Sequence, residues 1–195
     1  MKILLLGSHS GRLVDHLPTS DLTFVDRRLE LEDVRACRPD WLVSFGYRHI
    51  LSEDLIEEVY GKAINLHISL LPWNRGADPN FWSWIEDSPK GVTIHWMSPE
   101  VDKGAVICQR EVELDPGETL RDSYTSLTNE ITGLFSEAVP LLKSGDVPVT
   151  PQISGGTYHR SSEREKHWSA FPLGWDTPCQ EVREYGELLQ LTVAR

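Results

Sequence analysis

AINLH, residues 63–67, is the stretch whose reading decides the fold. It is short, apolar and followed at once by a loop, as expected of a strand in a sheet. Side chains two residues apart on a strand point to the same face, so Asn65 and His67 project together from its end. The strand opens a longer segment, NLHISLLPWNRGADP (65–79). Upstream lie further apolar runs of the same kind. KILLL (2–6) reads as a buried parallel strand running into the polar loop GSHSGR (7–12), with a short helix around Leu13–Leu17. LTFV (22–25) and WLVSFG (41–46) read as two more strands. LELEDVRACRPD (29–40) reads as a helix stopped before Pro39. Ser52 is placed to cap a helix running to about Tyr60, with Glu53 and Asp54 in its first turn. Strands separated by short helices define an α/β open sheet.

The second half changes character. GVTIHWM (91–97) and AVICQREVEL (105–114) alternate and are joined by SPEVDKG, a pattern that predicts antiparallel or mixed pairing. Thr119 and Asp122 form a capping-box pair that opens a long helix. Leu120, Tyr124, Leu127, Ile131, Leu134 and Leu141 follow at helical spacing, Pro140 should bend the last turns, and Gly145 ends the helix. The tail from Pro151 is polar and aromatic and has no clear periodicity. Residues 1–150 are therefore expected to form the catalytic domain and 151–195 an extension packed on or near it.

Composition narrows the partners. The chain has 195 residues, 39% of them apolar, enough for one core. No run approaches the roughly 20 apolar residues of a membrane span, and MKILLLGSHSG is too soon interrupted for a signal peptide. Cys37, Cys108 and Cys179 have neither metal-ligand nor disulfide spacing, which suits a reducing cytoplasm and no metal. Net charge is −11, with 19 Lys and Arg against 30 acids. A long RNA surface must neutralise many phosphates, so no nucleic-acid partner is expected.

Asp102 sits in the loop between the alternating segments, and it completes a chemical set. An amide donor beside an imidazole, with a carboxylate arriving on another loop, can polarise a carbonyl and move a proton. The spacing N-x-H-x-S-L-L-P, a Gly four residues on (Gly76), and a later D-x-G after a V-T-x-H strand resembles the folate-dependent formyltransferase family. That family includes glycinamide ribonucleotide, methionyl-tRNA and amino-sugar formyltransferases and the formylation domains of peptide synthetases. The resemblance covers residues 1–160, strongly over 63–115. It implies a trimmed Rossmann-like fold with a mixed, mainly parallel sheet flanked by helices, because the interval before WLVSFG is too short for the family's usual extra strand–helix unit.

The resemblance also implies roles. Asn65 would hold the formyl oxygen, His67 would stabilise the oxyanion, and Asp102 would orient His67 or a water and help move the amine's proton. 10-Formyltetrahydrofolate would be the donor. Phe45, Gly46, Tyr47, Arg48, Ile50 and Leu51 would grip its pterin through backbone groups, opposite Met97, Pro99 and Glu100. Ser8, His9 and Ser10 of the first loop and Trp73, Arg75 and Gly76 would contact the amine acceptor. Ser69 would brace the loop after His67, where Ile68 replaces the family's usual Pro. SGGTYHR (154–160) resembles a segment near the active-site mouth in several members, where Tyr158 or His159 could touch substrate. His95, on one face with Thr93 and Met97, reads as structural. Phe81, Trp82 and Trp84 read as core.

The acceptor is expected to be an amino-sugar nucleotide. The alternatives are an aminoacyl group on a carrier protein, release of formate from the same donor, and a non-catalytic folate-binding module. A homodimer is left open.

Overall fold

The computed structural model describes residues 1–17 and 21–193. Six strands form the main sheet: β1 (Ile3–Leu6), β2 (Leu22–Val25), β3 (Trp41–Phe45), β4 (Ala63–His67), β6 (Gly91–Trp96) and β7 (Val106–Glu111), in the order β2-β1-β3-β4-β6-β7. β1 runs parallel to β2 and β3, and β3 parallel to β4; β6 pairs antiparallel with β4. The mixed, mainly parallel α/β sheet expected from the alternation of strands and helices is what the chain forms. Ile3 to Leu6, Leu42, Val43, Ala63 and Ile64 are all fully buried. A parallel strand covered on both faces has no solvent side, so its sequence is a continuous apolar run.

The connecting helices are short. α1 (Leu31–Cys37) begins at Glu30, whose side chain and that of Asp33 satisfy each other's backbone N–H groups. It stops before Pro39, as the sequence pattern predicts: Arg38 turns left-handed at φ 48°. α2 (Glu53–Glu58) follows Ser52 as expected and ends just before Tyr60 and Gly61, which take positive φ. A 3₁₀ turn occupies Ser10–His16 in place of the short helix. α4 (Leu120–Ser144) carries the predicted box: Thr119 N–H donates to Asp122 at 3.2 Å and Asp122 N–H to Thr119 Oγ1 at 3.1 Å.

The described chain packs as two compact units, each drawn from three segments. One comprises residues 1–67, 93–109 and 131–152, and the other 68–92, 110–130 and 153 onward. In the first, Leu4, Leu6, Val34, Leu42, Leu51, Leu55 and Val59 form a common cluster. In the second, α3 (Pro79–Ile85) and α6 (Cys179–Val193) join Phe81, Trp82, Trp84, Phe171 and Val182 in an aromatic core. The tail, unreadable by periodicity, forms β8 (Tyr158–His159), α5 (Ser161–Trp168) and α6; β8 pairs in parallel with β5 (Arg75–Gly76).

Candidate active site

The register of β4 on β6 sets Asn65 opposite His95 and His67 opposite Thr93. Paired residues share a face of the sheet, so two imidazoles and an amide converge at the carboxyl end of β4. Asp102 arrives from the β6–β7 loop in a left-handed conformation, φ 52°. That loop is tight: a Cβ on Gly104 would lie 1.7 Å from the Trp96 carbonyl, so only glycine fits. Gln152 fixes the loop from outside, its Nε2 donating to the carbonyls of Asp102 and Gly104, each at 2.8 Å.

The side chains then interlock. His95 is 2% exposed and its Nδ1 donates to the Trp96 carbonyl at 2.8 Å. A carbonyl only accepts, so this bond fixes the Nδ1–H tautomer and leaves Nε2 as an acceptor. Asn65 Nδ2 donates to His95 Nε2 at 3.2 Å and to Asp102 Oδ1 at 3.3 Å. Asp102 Oδ2 lies 3.6 Å from His67 Nδ1, and Oδ1 lies 3.5 Å from His95 Nε2. These carboxylate contacts are longer than the 2.7–3.2 Å of an ordinary N–H···O bond. In a site this enclosed, with His67 6% exposed, a carboxylate and an imidazole act on each other more strongly than in water. The arrangement can orient an amide, support positive charge on His67 and accept a proton.

The other predicted positions in this unit fall on strand-end loops. His9 N–H donates to the Phe45 carbonyl at 3.2 Å, and a Cβ on Gly46 would meet the His9 ring at 2.2 Å, so the first loop docks directly on the third. Burial lowers the pKa of His9, and the Arg12 and Arg48 guanidinium groups lower it further. Ser8 is exposed and its hydroxyl contacts the His9 ring at 3.0 Å, whereas Ser10 is buried and donates to Gly7 O. Phe45 and Leu51 are core residues; Ile50 is 70% exposed. Tyr47 Oη ties the loop to the strand-end segment after β2 through Leu29 N–H at 2.8 Å and Arg27 O at 2.9 Å. A cavity of about 180 Å³ lies beside them, lined by Arg28, Glu30 and Ser52 as well as by Leu29, Tyr47 and Leu51. Arg48 is exposed, Met97 packs on the core cluster, Pro99 is exposed, and Glu100 pairs with Lys103 at 2.6 Å.

In the second unit, Ser69 donates to the Trp73 carbonyl at 2.7 Å and so closes the turn after the motif. Trp73 and Arg75 are half-buried, and Gly76 has φ 87°. His159 faces inward: it stacks on Trp82 at 3.8 Å and bonds Glu86 at 2.7 Å. Tyr158 faces outward, 49% exposed. Phe81, Trp82 and Trp84 are core, as their pattern predicts.

Sequence reading passes over two residues. His95 reads as structural because its partner across the sheet depends on register, and register is not written in one strand. Gln152 lies in a segment without periodicity, and no local signal marks it.

This geometry coincides with a family. The formyl transferase family matches residues 26–139. The structure resembles that of the formyltransferase PseJ from Anoxybacillus kamchatkensis, solved in complex with UDP-4,6-dideoxy-4-formamido-L-AltNAc and tetrahydrofolate. The two share 43% identity, with a TM-score of 0.89, over 95% of this chain and 100% of that one. A sugar N-formyltransferase from a Shewanella species (TM-score 0.75) and a 4-N formyltransferase from Francisella tularensis (TM-score 0.73), each 21% identical over 94% of this chain and 86% of theirs, share the fold. The chain belongs to the folate-dependent formyltransferase family. It is an enzyme, an N-formyltransferase. Among the described residues no helix is long and apolar enough to cross a membrane.

Proposed function

We propose that the enzyme transfers a formyl group from 10-formyltetrahydrofolate to the 4-amine of a UDP-linked 4-amino-4,6-dideoxy sugar. The observation that carries the chemistry is the convergence of Asn65, His67 and Asp102, the carboxylate meeting the other two at 3.3–3.6 Å. The acceptor is supported by the 43% identity to an enzyme solved with a UDP-formamido sugar, across that enzyme's whole length.

The residues suit the donor: a cavity of mixed polar and apolar lining beside the backbone edge of residues 45–51 fits a planar heterocycle that presents donors and acceptors. The donor supplies an activated formyl carbon and a leaving nitrogen. The acceptor amine attacks as the neutral species, and negative charge develops on the formyl oxygen. Asn65 Nδ2 turns its N–H from Asp102 towards that oxygen, keeping its bond to His95. His67 provides the second donor. Preorganised donors of this kind are each worth roughly 3–4 kcal/mol at the transition state. Asp102, released from the Asn65 amide, receives the proton that the amine loses, directly or through His67, and passes it to the folate nitrogen as the bond between that nitrogen and the formyl carbon breaks, leaving the formamide and tetrahydrofolate. Residues 1–150 carry the catalytic groups, and the extension 151–195 supplies Gln152 to brace Asp102.

Purified enzyme with 10-formyltetrahydrofolate and the amino sugar nucleotide is expected to yield a product heavier by one formyl group, with stoichiometric tetrahydrofolate. Formylation of carrier-tethered aminoacyl groups alone would overturn the sugar assignment and leave the catalytic one. Formate release that is independent of any amine would overturn transfer itself.

A further inference from the structure

The cavity beside residues 45–51 draws its lining from two stretches, 28–31 and 47–55. We propose that the Tyr47 hydroxyl is the latch between them, a positioning residue that sets the width of the cavity and so the affinity for 10-formyltetrahydrofolate. This rests on the reading of the cavity as the donor's. Both walls belong to the first compact unit.

Three observations carry it. First, the hydroxyl is spent on the opposite wall. It accepts from Leu29 N–H at 2.8 Å and donates to the Arg27 carbonyl at 2.9 Å, eighteen and twenty residues back in the chain. A phenol oxygen carries one proton, so this pair of bonds uses it as donor and acceptor at once. Burial raises the pKa of the Tyr47 phenol above its ordinary 10, which keeps that proton in place at neutral pH. Second, the two walls differ in how they are held. The first braces itself: both terminal nitrogens of Arg27 donate to the Asp33 carboxylate at 2.7 Å, and Glu30 N–H donates to it at 3.0 Å. The second has no such brace of its own. Among the described residues, the peptide groups of 47–51 form no backbone–backbone hydrogen bond. Gly46 enters this loop at φ 69°, and the buried Leu51 anchors its far end. Between these points the Tyr47 side chain packs on the core cluster and its hydroxyl ties wall to wall. Third, the tie is local. α1 and α2 are bridged separately towards their C-terminal ends, where Arg35 Nε donates to Glu58 at 3.1 Å. Losing the Tyr47 hydroxyl frees the ends at the cavity without separating the helices.

Peptide groups recognise a heterocycle well when they are already held at the right distance, because a loop that must be ordered on binding gives up affinity. A latch closed before the ligand arrives removes that cost. It does so equally for the ground and transition states, since it touches no reacting atom. Uniform binding of this kind changes KM and leaves kcat alone.

Tyr47→Phe tests the latch, because it keeps the ring and removes the hydroxyl. Calorimetric titration of the full-length protein with 5-formyltetrahydrofolate is expected to show affinity weaker by about five- to tenfold, the scale of the hydrogen bonding removed. KM for 10-formyltetrahydrofolate should rise by the same factor, with kcat at saturating donor and KM for the amine acceptor unchanged. Amide hydrogen exchange should quicken at Leu29 and stay as in the wild type at Leu42, inside the sheet, which certifies that the variant is folded. Unchanged folate affinity with a faster Leu29 amide would overturn the proposal, because the latch would then be open to no effect. A fall in kcat at unchanged KM would overturn it too, by placing Tyr47 in the chemical step. A crystal of the wild type with 5-formyltetrahydrofolate seated away from both walls would remove the cavity reading itself, a failure distinct from the other two.

Discussion

Two clusters in this molecule are built from the same materials and differ in how tightly they are closed. Around Asp102, an amide at 3.3 Å and the His67 imidazole at 3.6 Å meet one carboxylate, with the acceptor nitrogen of His95 beside them. Around Glu86, an amide, a hydroxyl and one imidazole meet one carboxylate at 2.7–2.8 Å. Short bonds from three donors leave Glu86 nothing to gain by moving. The longer contacts of Asp102 can be exchanged for better ones as charge develops on a ligand. Catalysis depends on interactions that strengthen in the transition state, and a carboxylate already saturated in the ground state cannot supply them. On the proposed mechanism, the length of these contacts, and not the composition of the clusters, separates Asp102 from Glu86.

The contrast breaks most easily at its two centres. Asn65→Ala, His67→Ala and Asp102→Ala are each expected to lower kcat by about a hundredfold or more, because each removes a group that acts on the transition state. Thermal unfolding should shift little. A folded variant with near wild-type turnover would remove that residue from the mechanism. Glu86→Ala should do the reverse. It removes the acceptor that three donors share in a partly buried site, a loss of about 2–3 kcal/mol of stability, visible as a lower urea midpoint. Loss of turnover without loss of stability would erase the distinction between the two clusters.

Smaller effects sharpen it. Gln152→Ala frees the backbone of the Asp102 loop without touching the reacting groups. We expect kcat to fall about tenfold, in line with the sensitivity of catalysis to misplacement of a positioned group. His95→Phe keeps a flat aromatic ring, though a larger one, and removes the acceptor that orients Asn65, with a fall of the same order. A double variant Asn65→Ala, His95→Phe no slower than Asn65→Ala alone would establish that His95 acts through Asn65; additive losses would refute it.

The smallest expected effect lies outside both clusters. The Arg27 guanidinium and the Glu30 N–H hold the Asp33 carboxyl down to about 2, from an ordinary value of 3.8. A depressed pKa means stability that is present above 3.8 and is lost as pH falls towards 2. The pair is solvent-accessible, so its worth is no more than about 1 kcal/mol. Asp33→Asn should lower the melting temperature slightly at pH 7, and the difference from wild type should vanish near pH 2. An equal difference at both pH values would place the effect in something other than the charge.

Much of the site was legible because the motif is local. Asn65 and His67 share a strand, and a period of two is enough to put them on one face. Asp102 was legible through its D-x-G turn, where Gly104 is required by the approach to Trp96 O. His95 reads as structural in the sequence, since alternation gives its face but not its partner across the sheet, Asn65. Gln152 and the ribbon of Arg75, Gly76, Tyr158 and His159 were not legible at all as an assembly. Their partners lie far away in the chain, 48 residues from Gln152 to Gly104 and 73 from His159 to Glu86.

What the sequence determined by itself is whatever rests on neighbours in the chain. The apolar runs are buried strands, since a strand covered on both faces has no polar side. The Thr119–Asp122 cap starts α4, and the Asn65–His67 pair emerges from β4 by strand geometry alone. Only the tertiary structure decided the register that sets His95 against Asn65, the glutamine that braces Asp102, and the inward turn of His159 against the outward turn of Tyr158. These follow from packing and hydrogen bonding between segments distant in sequence, where each partner is fixed by the whole fold and no single stretch records the match.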